Sequence, residues 1–216
     1  MKSISGEGLD RADITPRGVA GDRQWAVRTP DGGIGSGKTT RRFRRVDGLL
    51  EFRAVLAGTV PVVEFPDGRR LSADDPAVEE ELSTTVGRPL ALRPEADVPH
   101  HDESPLHLIT TSGLDRLGRT LGAPVDPARF RANVVLETDG DEGDWTGRTL
   151  QLGPDVVVRL GPGMTRCVMV DLAQRDLPRH GRILTTLADA HHLTFGLQAT
   201  VVRSGTVRQG DPARLL

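Results

Sequence analysis

Gly161-Pro162-Gly163-Met164-Thr165-Arg166-Cys167-Val168-Met169-Val170 is the stretch on which the reading of this chain turns. It follows Val156-Val157-Val158-Arg159-Leu160. A β-branched run, a glycine–proline turn and a second apolar run form the pattern of two strands joined by a turn. The stretch also holds Cys167, the only cysteine among 216 residues. A lone cysteine in a strand is ordinarily a small buried hydrophobe. Here an arginine precedes it and a flexible turn leads to it. A thiolate in such an electropositive setting is a soft metal ligand or a nucleophile. No His-Asn or His-Asp companion is legible, so a papain-type mechanism has no positive support.

Further strands surround this stretch. Residues 24–29, 60–65, 69–72, 133–137 and 149–152 are short, β-branched and bounded by turn signals. Pro66-Asp67-Gly68 between two of them is a hairpin signature. Phe195, Leu197, Ala199 and Val201 alternate as one buried face. Three helices are expected. Asp75 caps the first, with Pro76 at its first position, and Gly87 ends it. Ser112 caps the second, whose apolar face is Leu114, Leu117 and Leu121, with Gly122 at its end. The third covers 182–192. Many short strands with few helices predict a β-rich mixed α+β architecture built on a β-barrel, with a smaller β-rich N-terminal domain. Residues 93–102 read as the junction, giving domains 1–95 and 96–216.

Composition excludes several classes. One cysteine cannot form an internal disulfide, an iron–sulfur cluster or a cysteine-rich zinc site. Lys+Arg is 28 and Asp+Glu is 30, a net charge of −2. That balance gives no bulk drive toward nucleic acid or an anionic membrane. No apolar run approaches the roughly 18 residues of a membrane span. Residues 1–13 show no signal-peptide core, so a cytoplasmic protein is expected. Only Lys2 and Lys38 are lysines; the remaining cations are arginines. With aromatics at 3%, the core must be largely Val, Leu, Ile and Ala.

Four further motifs have competing readings. Gly32-Gly33-Ile34-Gly35-Ser36-Gly37-Lys38-Thr39 satisfies the P-loop pattern G-x-x-x-x-G-K-[ST]. Its context is wrong: the preceding strand is half polar and a basic run, not a long helix, follows. A glycine-rich surface loop is the better account. His100-His101 and His191-His192 are adjacent pairs, which diverge on a helix or a strand and make no ready two-ligand zinc face. They read as solvated loop and helix-end residues. Asp139, Asp141, Glu142 and Asp144 lack calcium-loop spacing and read as a solvated acidic loop. Arg129-Phe130-Arg131-Ala132-Asn133 places two guanidinium forks and an amide at a strand mouth. That arrangement suits phosphate or carboxylate, or is an ordinary surface ion-pair cluster.

Taken in order, these segments resemble the MOSC domain, the C-terminal domain of molybdenum-cofactor sulfurases, a family that includes the amidoxime-reducing molybdoenzymes. The resemblance runs through Arg129 to Asn133, Trp145-Thr146-Gly147, Thr165-Arg166-Cys167 and Gly205-Thr206-Val207-Arg208-Gln209-Gly210-Asp211. Asp102 with Pro105-Leu106-His107-Leu108-Ile109-Thr110 is similar to the family's Asp-x-x-Pro lead into its first helix. Lys2-Ser3 with Gly6-Glu7, and Gly21-Asp22-Arg23-Gln24-Trp25, resemble the motifs of the MOSC N-terminal domain. The segment around Lys38-Thr39-Thr40 resembles the family's Ser-x-Lys region. Ala132 stands where many members have proline, and Gly113 where serine is frequent. Met1 directly precedes Lys2, where the family usually has a strand. Either that strand is lost or the start lies upstream, and a frayed Lys2 would weaken cofactor binding.

The resemblance implies a molybdopterin site. Cys167 would be the molybdenum ligand and catalytic residue, consistent with the preference of soft metals for thiolate. Lys2, Ser3, Arg23, Arg131, Asn133, Thr165 and Arg166 would hold the pterin and its phosphate. The implied activity is molybdenum-dependent reduction of small N-hydroxylated or N-oxygenated compounds. Electrons would come from a separate redox protein of flavodoxin, ferredoxin or cytochrome type, because one cysteine cannot hold a fused iron–sulfur centre. The alternative is a non-catalytic cofactor carrier or insertion module. The pyridoxal-phosphate domain of the sulfurases has no room in this length.

Overall fold

The computed structural model of the chain describes residues 1–97 and 99–216, the side chain of His191 excepted. It is a β-rich mixed α+β protein that divides into two compact units. Unit 1 comprises Met1–Glu7, Gly21–His101 and Leu172–His180, and unit 2 comprises Gly8–Ala20, Asp102–Asp171 and Gly181–Leu216. The sequence reading divides the chain at one point, whereas both units are discontinuous. Strand pairing accounts for the N-terminal exchange: Arg11–Thr15 pairs antiparallel with Gly205–Arg208, from Arg11↔Arg208 to Ile14↔Gly205. In unit 1, the Arg175 N–H donates to the Leu50 carbonyl at 3.2 Å and its guanidinium pairs with Glu64, which anchors Leu172–His180.

Unit 1 holds two small sheets. One orders Phe43–Arg45, Ile34–Ser36, Trp25–Arg28 and Ala91–Pro94; the other is Arg53–Ala57, Val60–Glu64 and Arg70–Ser72. The expected hairpin through Pro66-Asp67-Gly68 is present, with Gly68 N–H on the Phe65 carbonyl at 3.0 Å. The core gathers Ile4, Val27, Leu49, Val63 and Leu82 around Phe52 and Phe65, whose rings meet edge-on at 5.3 Å. Helix α1, Val78–Val86, begins after a turn in which Asp75 Oδ1 accepts the Ala77 N–H at 2.8 Å. Asp75 therefore caps a turn before the helix, and Gly87 ends it with φ +77°. That left-handed conformation costs glycine no Cβ clash.

Unit 2 is built on a six-stranded sheet curled into a half-barrel. Its order is Val134–Leu136, Leu106–Thr110, Thr194–Arg203, Val156–Thr165, Thr149–Leu152 and Ala213–Leu215. Phe195, Leu197 and Ala199 are buried as the alternation requires. The strand read as ending at Leu160 continues through Gly161-Pro162-Gly163 to Thr165. It does so by bulging. Between Leu160↔Ala199 and Gly163↔Leu197 it gains a residue on its partner, which accommodates Pro162 with no N–H to pair. The partner regains that residue between Gly163↔Leu197 and Thr165↔Thr194, at Gly196, whose φ is +71°. A Cβ at Gly196 would strike the Leu108 carbonyl oxygen as well. Gly196→Ala is therefore expected to destabilise the protein by about 2 kcal/mol or more, read as a shift in the urea midpoint.

The expected strand 166–170 is not formed. Arg166 leaves the sheet, Cys167 is extended, and Val168–Val170 is a 3₁₀ turn. Val170 N–H donates to the Cys167 carbonyl at 3.2 Å, and Val170 is buried with Phe130, Leu117 and Ile183. A short apolar run fits strand and buried turn equally, and packing decided. Helix α2, Thr111–Leu121, is capped by Thr110 rather than Ser112: the Thr110 hydroxyl accepts the Gly113 N–H at 2.9 Å. The strand runs straight into the helix, so its last residue is the cap. Ser112 donates instead to the Gly140 carbonyl at 2.6 Å.

The acidic loop is not wholly solvated either. Glu142 is buried, and its carboxylate accepts from Thr110 Oγ1 and Arg116 Nη2, each at 2.7 Å. A Cβ on Gly113 would collide with Glu142 Oε1, so a larger residue there would have to displace that carboxylate. Helix α3, Ile183–His191, starts where the Asp171 carboxylate accepts the Ile183 and Leu184 N–H groups at 2.9 and 3.1 Å. Among the described residues, no helix is long and apolar enough to cross a membrane.

Candidate functional site

The residues expected to hold a cofactor fall into two sets, one in each unit. In unit 2 the set is assembled around Phe130. Residues Pro127–Phe130 form a 3₁₀ turn capped by Asp126, whose Oδ1 accepts the Ala128 N–H at 2.8 Å. Arg131 ends it in the left-handed region at φ +53°. Phe130 is buried and stacks on Phe195, with centroids 4.1 Å apart. The Arg166 guanidinium lies 5.4 Å from the Phe130 centroid and donates from Nη2 to the Phe130 carbonyl at 2.8 Å. Its backbone is fixed as well, the N–H donating to the Leu193 carbonyl at 2.7 Å. Cys167 follows directly and is half-buried.

His107 completes this set and was not singled out from the sequence. Its Nε2–H donates to the Phe195 carbonyl at 3.1 Å, and Arg166 Nη1 lies 3.4 Å from each ring nitrogen. The signal for it was one polar residue inside the apolar run Leu106–Thr110. Asn133 is tied to the same residue. Its Oδ1 accepts the His107 N–H at 3.0 Å, and its own N–H donates to the His107 carbonyl at 2.8 Å. The carbonyl end of the Asn133 amide is thus engaged in the fold. Thr165 is exposed at the strand end, its N–H 3.4 Å from Glu103 Oε2. Arg129 is buried, with Nη1 3.5 Å from the Val170 carbonyl.

In unit 1 the set gathers near strand Trp25–Arg28. Lys2 is not frayed: its N–H donates to the Trp25 carbonyl at 2.8 Å, and it forms a parallel bridge with Ala26. Both lysines of the chain meet over one ring. Lys2 Nζ and Lys38 Nζ lie 5.2 and 4.7 Å from the Phe43 centroid, with Arg42 Cζ at 5.5 Å. Like charges repel, so such a convergence is what an anionic group recognises. Ser3 is 1% exposed, and its Oγ is buried without a hydrogen-bond partner among the described residues. Arg23 pairs with Asp22.

Ser3, Arg23 and Arg131 also share a backbone state. They have φ of +62°, +53° and +53°; among the described residues, the other non-glycine residues with positive φ are Arg175, His192 and Leu193. Strained backbone of this kind concentrates at functional sites.

The P-loop pattern does not form a phosphate loop. Gly33 to Ser36 are buried, Ile34–Ser36 is a strand, and no helix opens at Lys38. A surface loop was therefore also the wrong reading. His100 likewise is not solvated. It is 0% exposed; Nδ1–H donates to the Arg23 carbonyl at 2.8 Å, and Nε2 accepts from Arg28 Nη2 at 3.1 Å. The pair His191-His192 falls partly outside the described residues. Among the described residues, no group of three His, Cys, Asp or Glu side chains is arranged to hold a metal ion.

The family model for the MOSC domain matches residues 95–214, more than half of the chain. The chain belongs to the MOSC domain family. MOSC domains are associated with binding of the molybdenum cofactor. No curated protein matches the chain. Among solved structures, the YuaD protein from Bacillus subtilis is similar at 13% identity and a TM-score of 0.48, over 97% of this chain and 86% of that one. YiiM from Geobacillus stearothermophilus is similar at 15% identity and 0.42, over 52% of this chain and 54% of that one. YiiM from Escherichia coli gives 15% and 0.41 over the same shares. This chain therefore spans about half the length of the YiiM structures it matches.

The residues present fit the family's cofactor. An anionic pterin phosphate calls for cationic forks and short donors, and a soft metal calls for sulfur. Groups of these types occur within unit 1 in Lys2, Arg23 and the buried Ser3 hydroxyl, and separately within unit 2 in Arg131, Arg166 and Cys167. Replacing Lys2 by methionine keeps the stem and removes the charge. It should lower cofactor occupancy about tenfold or more, since a charge-assisted hydrogen bond contributes roughly 1.5–3 kcal/mol. Molybdenum content of purified Lys2→Met against the wild type measures this.

Proposed function

We propose that this MOSC protein binds the molybdenum cofactor through the Cys167 thiolate and reduces small N-hydroxylated or N-oxygenated compounds with electrons from a separate redox protein. The observation that carries this reading is the seating of Cys167. Its neighbour Arg166 is fixed by the Phe130 carbonyl and ring, and the Cys167 carbonyl accepts the Val170 N–H. The Arg166 guanidinium is thus pinned on Phe130, and the Cys167 backbone is fixed by the turn that follows it.

When bound, the cofactor supplies oxygen-atom removal from the N–O group. In the net reaction the N–O bond breaks, two electrons and two protons are consumed, and water leaves. The chain's own residues bind and orient. Cys167 supplies the thiolate, and Arg131 and Arg166 supply guanidinium forks. Thr165 adds a hydroxyl at the strand end, and the Asn133 amide oxygen holds the His107 backbone N–H. Lys2, Ser3 and Arg23 form a donor set of their own within unit 1. His107 acts through Arg166, which it holds in register with Phe130.

The test is elemental analysis and turnover on protein made in a cofactor-competent host. Molybdenum with turnover of benzamidoxime, driven by reduced methyl viologen, is expected. Molybdenum without turnover of benzamidoxime or a hydroxylaminopurine would make the protein a carrier. Absence of molybdenum would overturn both.

A further inference from the structure

Unit 1 also contains a cleft of about 370 Å³ lined by Arg28, Arg41, Arg42 and Arg44, with Asp31 and Asp97. Asp31 is already engaged. Its carboxylate accepts from Thr29 Oγ1 and Arg44 Nε, each at 2.6 Å, which hold its pKa down at about 2. That pairing offsets the charge of Arg44. Arg28 and Arg42 differ. Arg28 donates to the Gly32 carbonyl and to His100 Nε2, each at 3.1 Å. Arg42 donates to the carbonyls of Pro99 at 2.5 Å and His101 at 3.3 Å. These acceptors are neutral, so both guanidiniums are held in place with their charge undiminished. Arg41 is exposed and pairs with no carboxylate among the described residues.

A merely solvated basic face leaves long side chains loose. Here two forks are ordered in folding, so binding need not order them. The charge is also local. A chain of net charge −2 carries four arginines within 41–45. The segment adjoins the cofactor motif, because Arg42, Lys38 and Lys2 all pack on the Phe43 ring.

We propose that this arginine cleft is the docking site of an acidic electron-transfer protein, whose carboxylates seat on Arg28, Arg41 and Arg42. The proposal rests on the reductase reading, which needs an external donor; the donor is oxidised as the N–O bond is reduced. Carboxylates match guanidinium forks in a bidentate manner. Redox encounters use small surfaces steered by charge. A donor seated here is one aromatic ring away from Lys2. A small anion would need the two pinned forks but not the arginine strip beside them.

The experiment uses cofactor-loaded protein and two reductants: an acidic flavodoxin or ferredoxin, and reduced methyl viologen as a reference that needs no docking. Arg41→Glu should raise KM for the protein donor about tenfold relative to the viologen-driven rate, and Arg41→Lys, which keeps the charge and loses the fork, should fall between wild type and Arg41→Glu. Direct titration of the oxidised donor should show binding that weakens with salt and in Arg41→Glu. An unchanged donor KM in Arg41→Glu would overturn the proposal, as would no donor binding to wild type at low salt. Inorganic phosphate binding that Arg41→Glu abolishes, with donor KM unchanged, would make the cleft a small-anion site and also overturn it. If viologen drives no turnover in wild type, the reductase reading fails. The donor titration then decides docking alone: binding lost in Arg41→Glu supports the surface, and binding unaffected overturns it.

Discussion

Cys167→Ala is expected to abolish molybdenum-dependent turnover and strip most of the metal, while leaving the protein folded. The thiol is half-buried in unit 2 and contributes little packing, so its loss should cost no more than about 1 kcal/mol of stability. Its backbone is held independently, by the Arg166 N–H on Leu193 and the Cys167 carbonyl under Val170. The substitution therefore removes a ligand without removing the turn that presents it. No second cysteine can take over. Loss of outer partners alone costs a metal site roughly 10–100-fold, so loss of the ligating sulfur should exceed that. Turnover and metal content, measured beside the melting temperature, separate this outcome from unfolding. Full activity in Cys167→Ala would refute the assignment.

Phe130→Ala should produce the largest loss of stability linked to the site. Phe130 is 1% exposed and stacks on Phe195 in the core of unit 2. Truncating a buried phenylalanine costs about 3–5 kcal/mol, and the aromatic pair accounts for about 1 of these. For a chain of this size that is a melting-temperature drop on the order of 10 °C. The same ring is the platform beneath Arg166. Phe130→Leu keeps most of the volume and removes the platform, so it should cost less stability yet still lower cofactor occupancy. Equal occupancy in Phe130→Leu and wild type would show that the ring serves the core alone.

Much of the fold was legible because alternation and turn chemistry are local. The hairpin at Pro66-Asp67-Gly68, the apolar face of α2 and the strand through Phe195 and Ala199 follow from short-range patterns. What escaped depends on distant partners. His100 is buried because Arg23 and Arg28, more than 70 residues earlier, satisfy its ring. Glu142 is buried because Thr110 and Arg116 meet it. The run Val168-Met169-Val170 offered no local basis for choosing a 3₁₀ turn over a strand. At the site, residue types were readable but their arrangement was not. Nothing in the sequence places both lysines over Phe43, or puts Ser3, Arg23 and Arg131 in the left-handed region, where glycine is the usual signal.

The central claim is that Cys167 is the sulfur this chain gives to molybdenum. X-ray absorption at the molybdenum edge tests it most directly, on wild type and Cys167→Ser from a cofactor-competent host. The account predicts molybdenum in the wild type with a sulfur shell that loses one scatterer in Cys167→Ser. An unchanged sulfur shell in that variant, or wild-type protein without molybdenum, would contradict it.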